Sequence, residues 1–280
     1  VLAERDRSGA FPHAALAKMG ALGMLGMMVP AEYGGANAGA VSYSLALQEV
    51  AAACASTAVT MSVTNLSQDP LLQFGSELQK TRYLGPLARG EMLGAFAITE
   101  PGAGSDPAGM VMRAEDKGDH YLINGTKVFI TNGGHAGTVI LIARTSAERS
   151  NRSLSAFIVE RGEFNVGREE EKMGLRSSNT VELVFEDCRI AKDRLLGREG
   201  QGFKIAMVAL DSGRIGIASQ SLGIARACLE EGVAYAKTRR QFGRSISSFQ
   251  AIQWMLADTA TEIEAAYWLT LAAADRKDQG

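Results

Sequence analysis

The spacing of apolar residues changes twice along the chain, and this change limits the folds that the sequence can adopt. From Phe11 to about Gly90, apolar residues recur at helical spacing, as in Leu16, Met19, Leu22 and Leu25. From about Leu93 to Leu196, short β-branched or aromatic runs alternate with polar turns. From Phe203 onward the helical spacing returns. The order of helices, then strands, then helices argues against a parallel sheet with crossover helices.

These three stretches predict an α+β multidomain protein. We expect an α-helical N-terminal domain over residues 1–92, a β-barrel or β-sandwich middle domain over 93–197, and a C-terminal helical bundle over 198–280. The bundle is expected to be incomplete, because two long antiparallel helices need further partners to bury their apolar stripes. Within His120–Thr131, the pair Asn124-Gly125 supplies the positive φ angles of a tight turn, so we predict a hairpin there.

Composition excludes several classes of protein. The net charge of -2 gives no electrostatic reason to expect nucleic acid, whose binding needs a basic patch, and no apolar run approaches the roughly 20 residues of a membrane-spanning helix. Cys54, Cys188 and Cys228 are far apart, and the three histidines are scattered. This pattern favours reduced thiols over a disulfide framework or a metal site.

The segment Phe96–Asp106, with the sequence FAITEPGAGSD, carries the densest chemical signal. Gly102 and Gly104 allow a backbone to approach a flat or phosphorylated ligand, and free backbone NH groups there can bond oxygen atoms. A strand-to-strand turn has the same spacing. The loop lacks the third glycine of a dinucleotide fingerprint. The residues alone therefore leave a plain turn and a ligand loop open.

Seven motifs in register resemble those of the acyl-CoA dehydrogenase family. They are VPAEYGG (29–35), TEPGAGSD (99–106), NGTKVFITNGG (124–134), KMGLRSS (172–178), FEDCRI (185–190), GQGFKIAMVALDSGRIGIASQSLGIA (200–225) and TRRQFGRSISSFQAIQWMLAD (238–258). The resemblance covers nearly the whole chain, and the wording LDSGRIGIASQ is closest to the short-chain and short-branched-chain members. It implies the same three domains, with FAD between the middle domain and the bundle and a neighbouring subunit completing the site.

The resemblance also implies which residues contact FAD and the acyl-CoA. The implied FAD contacts are Phe96, Ile98, Thr99, Gly104, Ser105, Phe129, Ile130, Thr131, Arg239, Gln241, Phe249 and Gln250. The implied acyl-CoA contacts are Ser105, Asp211 and Arg214. Three of these residues also have an ordinary structural interpretation. Phe129 could be a core strand residue, and Asp211 and Arg214 could form a surface ion pair. The guanidinium fork of Arg239 suits the FAD pyrophosphate, whereas Arg240 is expected to be solvated.

The implied reaction is the FAD-dependent oxidation of a short-chain acyl-CoA to a 2-enoyl-CoA. It requires a carboxylate that removes the α-proton. Most of the family uses a Glu well after the long helices, and some relatives place it one residue before the Arg of the DxxR stretch, where this chain has Gly213. We therefore expect the catalytic base beyond Gly280. The chain is then either a fragment of a longer polypeptide or a relative that binds without turnover.

Other functions on the same scaffold remain open at this point. They are an acyl-CoA oxidase, a flavin monooxygenase and a non-catalytic FAD-binding or assembly protein. The resemblance implies an acyl-CoA substrate, an electron-transfer flavoprotein as electron acceptor, and a homotetramer built as a dimer of dimers. The expected compartment is the cytoplasm, or the mitochondrial matrix in a eukaryote.

Overall fold

Five helices form the N-terminal part of the molecule. The computed structural model describes residues 2–148 and 150–280, so Val1, the first residue of the predicted N-terminal domain, lies outside it. The helices are α1 (Leu2–Ser8), α2 (His13–Ala21), α3 (Gly39–Ala53), α4 (Ala55–Phe74) and α5 (Glu77–Ala88). A capping box begins α5, in which Ser76 and Gln79 each bond the other's backbone NH group.

Helix α4 lies at the centre of this helical part and is buried over most of its length. Its apolar side chains Met61 and Leu71 are fully enclosed. Two of its buried amides donate to the chain that follows α2: Asn65 Nδ2 donates to Met24 O at 3.1 Å, and Gln68 Nε2 donates to Leu25 O at 2.6 Å. A helix with polar residues is stable in this core because these donors find acceptors.

The middle part is a single eight-stranded sheet. Its strands are β1 (Leu93–Ala97), β2 (Arg113–Asp116), β3 (His120–Thr131), β4 (Ala136–Arg144), β5 (Leu154–Glu160), β6 (Asn165–Glu169), β7 (Thr180–Ala191) and β8 (Leu195–Leu196). The order is β6-β7-β3-β2-β4-β5-β8, and β1 pairs with β4 in parallel. Phe157, Ile123 and Leu141 lie in the core of this sheet. The predicted order of helices, strands and helices is confirmed.

The predicted hairpin at Asn124-Gly125 is wrong. Strand β3 runs through this pair, and both of its halves pair with the one long strand β7. The register shifts between Ile123 and Gly125, and Gly125 has a φ of 143°. Asn124 also exchanges hydrogen bonds with Asp187 on β7. The pair therefore makes a bulge instead of a turn, because β7 offers a continuous partner to both halves.

Two long helices, α6 (Gly202–Thr238) and α7 (Gln250–Gln279), form the C-terminal part. They run antiparallel, since Gly232 faces Leu256 whereas Ser212 contacts Lys277. Two short strands, β9 (Arg240–Gln241) and β10 (Arg244–Ser245), make a hairpin between the helices, outside the range in which strands were predicted. Across the described residues, no helix has the length and apolar character needed to cross a membrane.

Helix α6 packs directly against the N-terminal helices through small residues. A Cβ atom on Gly223 would lie 2.2 Å from Gln48 O and 2.8 Å from Ala51 Cβ, both on α3. Near Gly216, the Tyr43 hydroxyl donates to Ser62 Oγ at 3.0 Å, which joins α3 to α4 below α6. Ser44 and Ser219 hydroxyls are 2.7 Å apart. This close approach fixes the position of α6 on the N-terminal part.

Two glycines of α6 allow a matched test of this packing. We expect Gly223→Ala to destabilise the protein by about 1–3 kcal/mol, because the added methyl overpacks α3. Gly232→Ala should stabilise it by up to about 1 kcal/mol, because a Cβ there meets only Leu256 Cδ2 at 3.8 Å and alanine favours the helix. Chemical denaturation measures both. Equal effects of the two substitutions would contradict the close contact of α6 with α3.

Candidate functional site

The loop after β1 and the second half of β3 lie side by side. The NH group of Val128 donates to Thr99 O at 2.9 Å, which brings Thr99 next to Phe129. Thr131 follows two residues later on the same strand, and both threonine side chains are half-buried. Phe96 and Ile98 are half-buried against the core shared by β1, α4 and the start of α6. The structure therefore brings together these predicted flavin contacts from two separate motifs.

Phe129 has an unusual backbone conformation and is displayed to solvent. Its φ is 59°, within a register shift between Lys127 and Ile130, and 62% of its surface is exposed. A bulky residue rarely adopts positive φ, because its Cβ crowds the backbone. The interpretation of Phe129 as a core strand residue is therefore wrong. Ile130, by contrast, lies in the core of the sheet, so only its main chain is available to a ligand.

Glycine at positions 102 and 104 is not required by the packing of this chain. Neither residue has a positive φ. A Cβ on Gly102 would meet nothing within 4 Å, and one on Gly104 would meet only Thr99 Cγ2 at 3.9 Å. Both positions are exposed, as is Ser105. The open space beside this loop fits a flat ligand that approaches the backbone closely, so the residues present suit a flavin.

A buried ion pair lies beneath the same loop. Lys127 Nζ donates to Glu100 Oε1 at 2.8 Å and to Ile98 O at 2.9 Å. The Glu100 carboxylate also accepts from the NH groups of Val111 and Met112. Burial lowers the pKa of Lys127 to about 8, while Glu100 opposes that shift. Because its carboxylate is enclosed and fully engaged, Glu100 is not free to take a proton from a substrate.

The predicted acyl-CoA residues Asp211 and Arg214 form an ion pair on the exposed face of α6. Asp211 lies one helical turn beyond Met207, which packs with Phe96 and Ile98 on a common cluster. Gly213, between the two, faces α4: a Cβ there would lie 2.6 Å from Leu66 Cδ1. Gly213 is therefore closed against α4, and a longer side chain there would have to displace Leu66.

The remaining predicted FAD contacts lie at the far end of α6. Arg239 ends the helix, and Gln241, Phe249 and Gln250 follow in the β9–β10 hairpin and at the start of α7. At roughly 1.5 Å per residue, Arg239 is about 48 Å along the helix from Met207, more than the diameter of a small domain. The structure thus separates the predicted contacts into a loop group, around Thr99 and Phe129, and a hairpin group, around Arg239.

The structure adds Phe242 to the hairpin group. This residue has a φ of 51° and is 92% exposed at the tip of the hairpin. Its ring lies edge-on to that of Phe249, at 6.2 Å between centroids, and Arg244 stacks on Phe249 at 4.2 Å. Phe242 is not among the FAD contacts that the resemblance implies. An aromatic residue inside a polar turn was the signal that an exposed contact surface exists.

The helical, β and helical parts, with a solvent-open glycine loop beside an exposed aromatic ring, form the arrangement that the resemblance to the acyl-CoA dehydrogenase family predicts. Comparison with known proteins agrees. Models of the N-terminal, middle and C-terminal domains of acyl-CoA dehydrogenase match residues 1–91, 95–188 and 200–280. A short-chain specific acyl-CoA dehydrogenase of Clostridium acetobutylicum is 46% identical over 100% of this chain and 75% of its own length.

Solved structures show the same fold. Butyryl-CoA dehydrogenase from Megasphaera elsdenii superposes with a TM-score of 0.96 at 44% identity, over 99% of this chain and 74% of that one. A chain from a study of the electron transferring flavoprotein of Acidaminococcus fermentans gives a TM-score of 0.97 at 47% identity, over the same shares. This chain belongs to the acyl-CoA dehydrogenase family, whose members are FAD-dependent oxidoreductases.

The glycine loop allows a test that separates ligand binding from folding. We expect Gly104→Val to lower FAD affinity at least about tenfold, because the side chain would occupy the space where a flavin approaches. The stability of the flavin-free protein should change by less than about 0.5 kcal/mol, because that space is open within the chain. Bound flavin is measured by absorbance, and stability by thermal unfolding.

Gly174→Val is the matched control for this substitution. Gly174 also has open space around its Cβ position and no positive φ, but it lies in a separate loop before β7. It should leave both stability and flavin content unchanged. Equal flavin content in the Gly104 and Gly174 variants would show that the glycine loop does not face the cofactor.

Proposed function

We propose that this protein is a short-chain acyl-CoA dehydrogenase, which oxidises an acyl-CoA to the 2-enoyl-CoA. The α-proton and the β-hydride leave the substrate, and a carbon–carbon double bond forms between the two positions. When bound, FAD supplies the acceptor for the hydride. The observation that carries the proposal is the pairing of Thr99 with Val128, which sets an open glycine loop against the displayed ring of Phe129.

The loop group would hold the flavin ring. Thr99 and Thr131 offer hydroxyl groups, and the exposed loop at Gly104 and Ser105 offers backbone NH groups that no described residue accepts from. Phe129 would pack against the ring edge. Such donors stabilise negative charge that develops on a ligand. Thr131 lies on β3, and the hydrogen bond from Val128 to Thr99 O holds Thr99 beside that strand.

Asp211 and Arg214 would contact the acyl-CoA, with Ser105 on the opposite side. In the structure the two α6 side chains neutralise each other at the surface, where an ion pair is worth little. Their contribution to stability is therefore small, and either group can turn to a polar ligand at low cost.

The identity of the proton acceptor stays a prediction. Two positions close to the candidate site could in principle carry the carboxylate. Glu100 is buried against Lys127, and the alternative position is Gly213, which packs on Leu66. Neither position therefore offers a free carboxylate to the substrate.

We also propose that the functional unit is a homo-oligomer, a dimer of dimers, in which a second copy completes each flavin site. The loop and hairpin groups are about 48 Å apart along one rigid helix, too far to serve one flavin in one chain. The exposed aromatic hairpin at Phe242 is the surface that would reach the neighbouring copy. An electron-transfer flavoprotein would then take the electrons from the reduced cofactor.

The similarity to dehydrogenases does not favour the oxidase, monooxygenase or non-catalytic alternatives. An acyl-CoA oxidase and a dehydrogenase would differ in how fast air reoxidises the flavin after it has been reduced with dithionite. Slow reoxidation in air supports the dehydrogenase, whereas rapid reoxidation would support an oxygen-using enzyme.

Neighbouring arginines test the hairpin group. We expect Arg239→Ala to lower FAD affinity about ten- to a hundredfold, because a charge-assisted bond to phosphate is lost. Arg240→Ala is the control: both arginines are exposed, but the Arg240 guanidinium donates to Gly243 O at 2.8 Å within the hairpin. Equal flavin content in the two variants would mean that Arg239 does not bind the pyrophosphate.

Mixing two defective chains tests whether copies share a site. Gly104→Val removes the loop group and Arg239→Ala the hairpin group. In a mixed oligomer one kind of site combines the intact loop of one chain with the intact hairpin of the other. We therefore expect coexpression to recover part of the flavin binding that both variants lack. Recovery of none would place both groups on one flavin within one chain, contrary to the helix length.

Butyryl-CoA tests the reaction itself. We expect the FAD-loaded 280-residue chain to show a perturbed flavin spectrum with butyryl-CoA under anaerobic conditions, but no rapid bleaching. A positioned general base is typically worth about 10²–10⁴-fold in rate, and neither Glu100 nor Gly213 supplies one. Rapid bleaching would mean that a base lies within these residues, and Glu100→Gln would then be the first variant to examine.

A further inference from the structure

Lys127 is among the largest fully buried side chains, although it carries an ionisable amine. Its side chain is 0% exposed and that of its partner Glu100 is 3% exposed. Removing two charges from water is expensive, and well-packed apolar residues often replace such a pair without loss of stability. Stability alone therefore gives no reason for this pair.

The contacts of the pair show what it holds. Lys127 Nζ bonds Ile98 O and Glu100 Oε1, at the point where β1 passes into the glycine loop. The Glu100 carboxylate reaches across the loop to the NH groups of Val111, at 2.6 Å, and Met112, at 3.1 Å. The pair thus joins both ends of the loop 98–112 to β3.

The same strand carries the other half of the site. Val128, directly after Lys127, donates to Thr99 O at 2.9 Å. Phe129 then takes its left-handed conformation and projects to solvent. The loop itself contains exposed glycines with few contacts of their own. Backbone hydrogen bonds between Glu100 and Ala103, and Arg144, which donates to Ala108 O and Met110 O, hold the interior of the loop. Lys127 and Glu100 hold its two ends.

We propose that Lys127 is a positioning residue for the flavin, which acts with Glu100 to hold the loop 98–112 against β3 in the conformation that receives the cofactor. This inference rests on the proposed function for the identity of the ligand. The pair itself adds no net charge behind the loop, because one positive and one negative charge are enclosed together. Removal of the lysine alone leaves an unpaired carboxylate beside the flavin.

The experiment compares Lys127→Met, Lys127→Arg and the double variant Lys127→Met with Glu100→Gln. Arg194→Met is the control, because Arg194 forms a partly buried ion pair with Glu163 in the same domain, away from the loop. Three quantities are measured on the full chain: the dissociation constant of FAD, the flavin midpoint potential, and hydrogen exchange of residues 98–112 in the flavin-free protein.

We expect Lys127→Met to raise the dissociation constant of FAD about tenfold and to increase exchange across the loop. It should lower the midpoint potential, because an uncompensated negative charge disfavours reduced flavin. The double variant should restore the potential but leave the exchange high. Lys127→Arg should recover most of the affinity. Arg194→Met should lose stability and leave all three quantities unchanged.

The proposal would be overturned if Lys127→Met showed wild-type hydrogen exchange in residues 98–112 and wild-type affinity for FAD, however much stability it lost. If Lys127→Met does not fold, the Lys127→Arg and double variants decide by the same measurements. The exchange measurement needs no flavin. If the wild-type chain bound no FAD, the proposed function would fail. Faster hydrogen exchange of the loop in the double variant would still support the inference that Lys127 and Glu100 hold the loop against β3.

Discussion

The close contact of α6 with α3 and α4 is the constraint on which the rest of the arrangement depends. Gly216 and Gly223 leave no room for a side chain, and Ser44 and Ser219 bond across the gap. The first turns of α6 are thereby held against β1 and its glycine loop. The same rigid helix ends at the aromatic hairpin, about 48 Å along its axis from Met207. The packing of α6 therefore determines where the loop group lies, and it keeps the hairpin group of the same chain too far away to share that site.

Departures from ordinary packing concentrate where the loop meets β3. A buried lysine, a phenylalanine with positive φ and two glycines without a packing role lie within a few residues of one another in space. None of these features has an evident benefit for the stability of the fold. All of them have a physical reason if a flat ligand binds beside the loop. Strain held by its surroundings is typical of binding sites, because the fold supplies the energy that keeps the site prepared.

The sequence pattern predicted the architecture well and local geometry less well. Helical and strand periodicities are properties of the chain itself, so the order of helices, strands and helices follows from them. The Asn124-Gly125 hairpin prediction was wrong because the choice between a turn and a bulge depends on β7, a strand distant in sequence. The exposure of Phe129 and Phe242 was also not readable from spacing, since both depend on single residues with positive φ.

The sequence by itself determined the three-part fold, the family and the residue types available for flavin and acyl-CoA binding, because motifs and periodicity are written in consecutive residues. Only the tertiary structure decided which of these residues meet. It brought Thr99 to Phe129 by one backbone hydrogen bond, enclosed Glu100 with Lys127, and closed Gly213 against Leu66. It also separated Arg239 from the loop by the length of α6. These relations depend on packing between segments far apart in the chain, which no local pattern encodes.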